Sequence, residues 1–120
     1  MAIINLTKAD FLKLVGDFES NPTSWTYKKK KPCIVNFTAS WCGYCKRLKP
    51  VLEELEKTFR NDIHIYNVDV DKEDEIDAAF EIHTIPMLMF CKAGKEEREM
   101  IIGTMPKNEL RDLIKNKLLS

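Results

Sequence analysis

Two cysteines separated by two residues are the part of this sequence best suited to chemistry. Cys42 and Cys45 stand in the stretch SWCGYCKRLKP, residues 40–50. Such a pair can bind a metal, brace the fold as a disulfide, or exchange electrons by opening and closing a disulfide. The residues around the pair and the rest of the chain have to separate these three possibilities.

The pair is predicted to lie where a strand ends and a helix begins. Residues 33–37, CIVNF, form a short apolar run typical of a strand buried on both faces. The free amides and the dipole of a helix N-terminus favour negative charge, and so they stabilise a thiolate, which is the reactive form of cysteine. We expect Cys42 to be nearer the exposed tip and Cys45, one turn later, to be better buried. The helix itself is indicated by apolar residues at helical spacing, with Pro50 inside it: Leu48, Val51, Leu52, Leu55 and Phe59.

The remaining pattern predicts one α/β domain over residues 1–120. Thr7 and Asp10 resemble a capping box at the start of a first helix, and Pro106 opens a last one. A short strand at 2–6 is also possible. The expected order is helix, strand, helix, strand, helix, strand, strand, helix, which gives a central mixed sheet with helices on both faces. The other strands are predicted at 63–70, 87–91 and 98–102, and a short helix at 73–80.

Neither a metal site nor a bracing disulfide suits this chain well. A zinc site needs further ligands at suitable spacing, but no second C-x-x-C is present, and Cys33, Cys91, His64 and His83 are scattered. We therefore predict no metal. Disulfide frameworks belong to small secreted chains that are dense in cysteine, whereas this chain has four cysteines among 120 residues. Redox exchange is the favoured chemistry.

The charge balance argues against two classes of partner. Lys plus Arg and Asp plus Glu each number 19, so no overall field favours nucleic acid or an acidic membrane. No window approaches the length of an apolar membrane span. The beginning MAIINLTKADF lacks the basic segment and long apolar run of a secretory signal, which leads us to expect a cytoplasmic protein.

Several segments together resemble the thioredoxin family. VNFTASWCGYCKRLKP is similar to the family's active-site segment, usually W-C-G-P-C-K, and Pro50 matches its helix proline. HTIPMLMF is similar to the segment that carries a cis-proline, here Pro86. KAGKE and IIGTMPKNEL match the hairpin turn and the region of Gly103 before the last helix. The resemblance covers nearly the whole chain and implies the thioredoxin fold.

The resemblance also implies a function, a thiol–disulfide oxidoreductase that reduces protein disulfides. Cys42 would attack the substrate disulfide, and Cys45 would resolve the mixed disulfide. Pro86, in the cis form, would face the pair, and the backbone of Ile85 would pair with the substrate chain. The family binds no cofactor, acts as a monomer and receives electrons from a thioredoxin reductase that uses NADPH. The other implied substrate-binding residues are Trp41, Gly43, Tyr44 and Gly103.

This sequence departs from the family pattern at two places. Tyr44 stands where proline is commoner, which can change the reduction potential in a direction that the sequence does not give. Asn36 stands where the family commonly has a buried acid, and Asn67 where relatives often have lysine. An amide does not titrate, so we expect Asn36 to be a buried, hydrogen-bonded strand residue and Cys45 to lose its proton to water.

Two further expectations remain open at this point. Cys33 and Cys91 lie on strands that would be neighbours, and we favour two buried free thiols over a pair. The alternatives to a reductase are a disulfide isomerase or oxidase in an oxidising compartment, and a thioredoxin-like binding module without turnover.

Overall fold

The computed structural model describes residues 3–22, 24–27 and 29–119. Its elements follow the predicted order closely. The strands are β1 (Ile4–Asn5), β2 (Cys33–Thr38), β3 (His64–Asp69), β4 (Met87–Cys91) and β5 (Arg98–Ile102). The helices are α1 (Lys8–Leu14), α2 (Gly43–Phe59), α3 (Asp74–Phe80) and α4 (Lys107–Leu118). Residue 2, which we included in a possible first strand, lies outside the described residues.

The five strands form one mixed sheet in the order β1-β3-β2-β4-β5. β1 and β2 both run parallel to β3, while β4 runs antiparallel to β2 and to β5. The crossover through α2 makes the parallel β2–β3 pair possible, and the short turn at Gly94 makes β4–β5 a hairpin. The predicted α/β class and thioredoxin fold are confirmed.

Apolar residues on the two faces of the sheet form two separate cores. Cys33, Val35 and Phe37 of β2 face the core that also contains Phe11 of α1 and Ile76 of α3. Ile34, from the same strand, faces the opposite core with residues of α2 and α4. This alternation follows from the two-residue period of a strand. It explains why CIVNF is apolar at nearly every position, since both faces of β2 are covered.

The start of α1 is capped as predicted, and the helix is short. The Thr7 hydroxyl accepts from the Asp10 amide at 3.2 Å, and the Asp10 carboxylate accepts from the Thr7 amide at 3.1 Å. The helix ends at Leu14, although the apolar pattern continues to Phe18. Phe18 is buried all the same, because the chain after the helix folds back and its ring packs edge-on against Phe11.

No helix in the described ranges 3–22, 24–27 and 29–119 has the length and apolar character needed to cross a membrane.

Candidate active site

The carboxyl end of β2 is the place where the predicted site residues come together. Thr38 ends β2 and lies beside Asp69 of β3, and Phe37 lies opposite Met87 of β4. The loop after Thr38 leads to Cys42, while Pro86 immediately precedes Met87. Segments that are far apart in the chain therefore meet at the same end of the sheet.

Cys42 and Cys45 form a disulfide at the N-terminus of α2, with Cα atoms 5.2 Å apart. Cys42 is the N-cap residue, and its Sγ accepts a hydrogen bond of 3.1 Å from the backbone amide of Cys45. An amide donor and a helix N-terminus aimed at this sulfur both favour the thiolate form. The arrangement therefore suits a Cys42 sulfur that acts as a thiolate, both when it attacks a disulfide and when it is the leaving group.

The expected difference in burial between the two cysteines is not seen. Cys42 is 5% exposed and Cys45 is 4% exposed, so in the disulfide form both are buried. In the disulfide form the Cys42 sulfur lies at the first turn of α2, where it accepts a hydrogen bond from the Cys45 amide. The two cysteines differ in position rather than in exposure, because Cys42 caps the helix and Cys45 belongs to its first turn.

Pro86 and Gly103 lie next to each other at this end of the sheet. The Ile85–Pro86 peptide bond is cis, as the resemblance implied. The Gly103 amide donates to the Pro86 carbonyl at 2.9 Å, which holds the chain after β5 against the proline. A Cβ on Gly103 would lie 3.0 Å from Leu48 of α2 and 3.2 Å from Leu88, so glycine permits this close approach. Pro86 is buried, and Ile85 is half-buried.

Two exposed aromatic rings flank the disulfide, and each has a charged partner. Trp41 is 68% exposed, and its indole N–H donates to the Asp71 carboxylate at 2.8 Å. Tyr44 is 61% exposed, and the Arg47 guanidinium carbon lies 4.5 Å from its ring centroid. Neither charged partner was identified from the sequence. The three-residue spacing of Tyr44 and Arg47 on a helix could have revealed the second pair, whereas Asp71 comes from a distant loop.

Asn36 is buried on the α2 side of β2, as expected, and it is 3% exposed. Its Nδ2 donates to Oδ1 of Asn67 at 3.1 Å, on the directly opposite position of β3. Within the described part of the chain, the Asn36 Oδ1 has no hydrogen-bond partner. Asn36, Asn67 and Cys45 line one groove of about 690 Å³ between α2 and the sheet, here called the Asn36 groove. Asn36 and the second cysteine thus line the same groove.

The other two cysteines are free and lie opposite each other, as expected. Cys33 and Cys91 are direct partners across β2 and β4, and both are buried. Burial raises the pKa of the Cys33 thiol, and its contact with Cys91 raises this pKa further. The Cys33 thiol therefore stays protonated and unreactive. Both cysteines pack as small apolar residues of the core.

Metal binding finds no support at the site. Among the residues that the structure describes, no group of three or more His, Cys, Asp and Glu side chains could hold a metal ion.

Comparisons with known proteins agree with this geometry. A family model described as Thioredoxin matches residues 6–116. The chain is 34% identical to the thioredoxin of Borreliella burgdorferi over 113 residues, which cover 94% of this chain and 95% of that protein. It is 42% identical to the thioredoxin of Mycoplasmoides gallisepticum over 85 residues, 71% of this chain and 83% of that protein.

A third relative is the thioredoxin of Geodia cydonium, which is 37% identical over 114 residues, 92% of this chain and 94% of that protein. The family match includes β2 to β5, α1 to α3, most of α4 and the cysteine pair. The chain belongs to the thioredoxin family and is a dithiol–disulfide oxidoreductase, an enzyme whose redox centre is a cysteine pair and which needs no bound cofactor.

Proposed function

We propose that this enzyme reduces disulfides in other proteins, with Cys42 as the nucleophile and Cys45 as the resolving cysteine. The observation that carries this proposal is the Cys42–Cys45 disulfide at the N-terminus of α2. Cys42 Sγ is the sulfur that receives the amide hydrogen bond, so it is the better thiolate once the pair is reduced.

The reaction begins with the reduced pair. The Cys42 thiolate attacks one sulfur of the substrate disulfide, a new S–S bond forms, and the other substrate sulfur leaves as a thiolate that takes up a proton. Cys45 then loses its proton and attacks Cys42, which releases the second substrate thiol and forms the Cys42–Cys45 disulfide. Two electrons have passed to the substrate. A thioredoxin reductase that draws on NADPH would return them, and this completes electron transport through the pair.

The surroundings of the pair suit an extended substrate segment. The exposed Trp41 and Tyr44 rings offer apolar area on either side of Cys42. Ile85 and Pro86 directly precede β4 at this end of the sheet. The Ile85 backbone would pair there with the substrate as an added strand. Gly43 and Gly103 complete this substrate-binding surface. A Cβ on Gly43 would point into open space, and Gly103 is held against Pro86 by its hydrogen bond to the Pro86 carbonyl.

Four wider expectations belong to this proposal. The enzyme works in the cytoplasm and takes part in cell redox homeostasis, where a reductase keeps thiols reduced. It acts as a monomer, and residues 1–120 fold as one domain. Its partners are proteins with disulfides and the reductase, rather than nucleic acid or membranes.

A trapping experiment tests the roles of the two cysteines. The protein is mixed with insulin and dithiothreitol, which returns the reduced pair after each cycle, and precipitation of the free insulin chains is followed by turbidity. The cysteine variants are pre-reduced, freed of dithiothreitol and mixed with insulin alone. We expect turnover with the native pair. Cys45→Ser should instead accumulate a mixed disulfide between Cys42 and insulin that dithiothreitol releases, because the resolving thiol is gone. A Cys42→Ser variant should form neither product.

The outcomes separate the proposal from its alternatives. No reduction of insulin by the native protein would favour a binding module without turnover. A mixed disulfide that forms through Cys45 in the Cys42→Ser variant, and not through Cys42, would reverse the assigned roles.

A further inference from the structure

A positive charge is held on the Tyr44 side of the disulfide. The Arg47 guanidinium lies over the Tyr44 ring with its carbon 4.5 Å from the centroid, and both side chains are exposed. A cation is attracted to the face of an aromatic ring, and this contact leaves the N–H groups at the edge of the guanidinium plane free. The charge is therefore held over the Tyr44 ring, in the first turns of α2, before any substrate arrives.

No carboxylate in the described ranges 3–22, 24–27 and 29–119 competes for that guanidinium. Residues three and four positions away on the helix are Gly43, Tyr44, Pro50 and Val51, and none of them is acidic. Among the described residues, Arg47 forms no salt bridge with Asp or Glu. Its fork of N–H donors, which fits a carboxylate in a bidentate manner, is thus available to a partner.

The start of α2 adds positive potential near this guanidinium. Arg47 lies in the first turns of the helix, and α2 has no acidic residue before Glu53. Lys46 and Lys49 lie on another face of α2, where they line the Asn36 groove, and the Asp71 carboxylate is bonded to Trp41. The positive charge near Tyr44 therefore comes from Arg47 and the helix N-terminus, although the whole chain has a formal net charge of +0.

We propose that Arg47, held on Tyr44, makes this enzyme prefer protein disulfides that carry Glu or Asp next to the reactive cysteine. The carboxylate pairs with the guanidinium while Cys42 attacks the sulfur, so Arg47 is a specificity-determining residue. The inference rests on the proposed reduction of protein disulfides and names the substrate class of that site.

The test compares two disulfide-bonded peptides of equal length. They differ only in having Glu or Gln on both sides of the reactive cysteine, so that shape is matched and charge is not. The pre-reduced protein is mixed with each peptide in a single turnover, and released thiol is followed by quenched chromatography. We expect a rate constant about threefold to fivefold higher for the Glu peptide at low salt, which is the size of effect that an exposed ion pair gives. The preference should shrink at high salt.

Variants assign the preference to the Arg47–Tyr44 pair. Arg47→Gln should bring the ratio of the two rates to about one. Lys57→Gln removes the same charge from an exposed position ten residues, or about 15 Å, further along α2, and it should leave the ratio unchanged. Tyr44→Phe keeps an aromatic face and should keep the ratio, whereas Tyr44→Ala frees the guanidinium and should lower it.

The outcomes distinguish this inference from the function on which it rests. If neither peptide is reduced, the proposed function fails. If both are reduced at equal rates, the function stands and the charge preference is overturned. If Lys57→Gln lowers the ratio as much as Arg47→Gln does, only the overall charge matters and Arg47 has no special role.

Discussion

At the scale of single residues, Asn36 is the position that most distinguishes this chain from the usual family pattern. Its amide makes one hydrogen bond, to Asn67, and leaves the buried Oδ1 without a described partner, while Asn36 and Cys45 line the same groove. A neutral pair at these positions avoids the desolvation cost of burying two charges. Because an amide does not titrate, Asn36 cannot take the Cys45 proton, and we predict that water accepts it.

Asn36→Asp should therefore speed the resolution of the mixed disulfide near neutral pH. Burial raises the pKa of an introduced carboxyl group above its usual value of about 3.9, into a range where it can accept a proton from Cys45. Stopped-flow kinetics between pH 6 and pH 8 would follow the release of the second substrate thiol. Asn36→Leu, which adds no titratable group, is the control. An unchanged rate in the Asp variant would show that Asn36 does not limit proton transfer.

The same substitution has a predicted effect on stability. Because the folded-state pKa of the new carboxyl group is raised, the unfolded chain ionises first as pH rises. Asn36→Asp should match the parent best near pH 4 and lose stability relative to it as pH increases, until the folded-state pKa is passed. Urea unfolding at pH 4 and pH 8 measures this difference.

At the scale of elements, the sequence predicts regular structure better than it predicts packing between loops. The predicted strand at 87–91 coincides with β4 and that at 98–102 with β5, because short apolar or alternating runs bounded by turns identify strands well. The burial of Trp25 and Tyr27, in the polar segment between α1 and β2, was not predicted. Two aromatic residues in a polar segment carry no periodic pattern, and their burial depends on distant partners.

The partners of Trp25 and Tyr27 are far away in the sequence, so only the folded structure identifies them. The Arg98 guanidinium carbon from β5 lies 3.7 Å from the centroid of the Trp25 ring, and the ring packs edge-on against Phe80 of α3. The backbone of Tyr27 accepts a hydrogen bond of 2.8 Å from Gly94 in the β4–β5 turn. The same limit applies to the active site. The cysteine pair and Pro86 follow a sequence motif, whereas the Trp41–Asp71 contact joins segments that no local pattern connects.

Gly16→Ala tests the packing of this loop against α1. An added Cβ would lie 1.9 Å from Cε3 of Trp25, and the ring cannot move aside easily because it is 3% exposed and held between aromatic neighbours and Arg98. We expect a loss of about 1–3 kcal/mol in the free energy of unfolding, which is typical of overpacking. Urea denaturation measures it.

Gly43→Ala serves as the matched control, because no heavy atom lies within 4 Å of a Cβ placed there. Its free energy of unfolding should stay within about 0.5 kcal/mol of the parent value. Equal losses in the two variants would contradict the assigned packing of Trp25 on Gly16.

At the scale of the whole molecule, the buried tyrosines couple stability to alkaline pH. Burial, with the nearby Cys33 thiol, raises the pKa of Tyr66 to about 12 from an ordinary value of 10.0. Burial also raises the pKa of Tyr27 strongly. The unfolded chain therefore releases these protons first as pH rises, and folding stability should fall above about pH 10.

The decline should not exceed about 1.4 kcal/mol per pH unit for each tyrosine. Guanidinium denaturation between pH 9 and pH 11.5 would measure the slope. Tyr66→Phe should make it shallower, because one of the two linked protons is removed. A slope that is the same in the parent and in this variant would mean that Tyr66 titrates alike in the folded and unfolded states.

The claim that this molecule acts as a reductase is tested most directly by the reduction potential of the Cys42–Cys45 pair. The fraction of reduced pair would be measured by thiol alkylation and mass spectrometry after equilibration in dithiothreitol or glutathione buffers of known potential. We predict a value near the roughly −270 mV of thioredoxin, despite Tyr44 and Asn36. A value near about −180 mV, as in protein disulfide isomerase, or higher would contradict the reductase assignment and indicate an isomerase or oxidase.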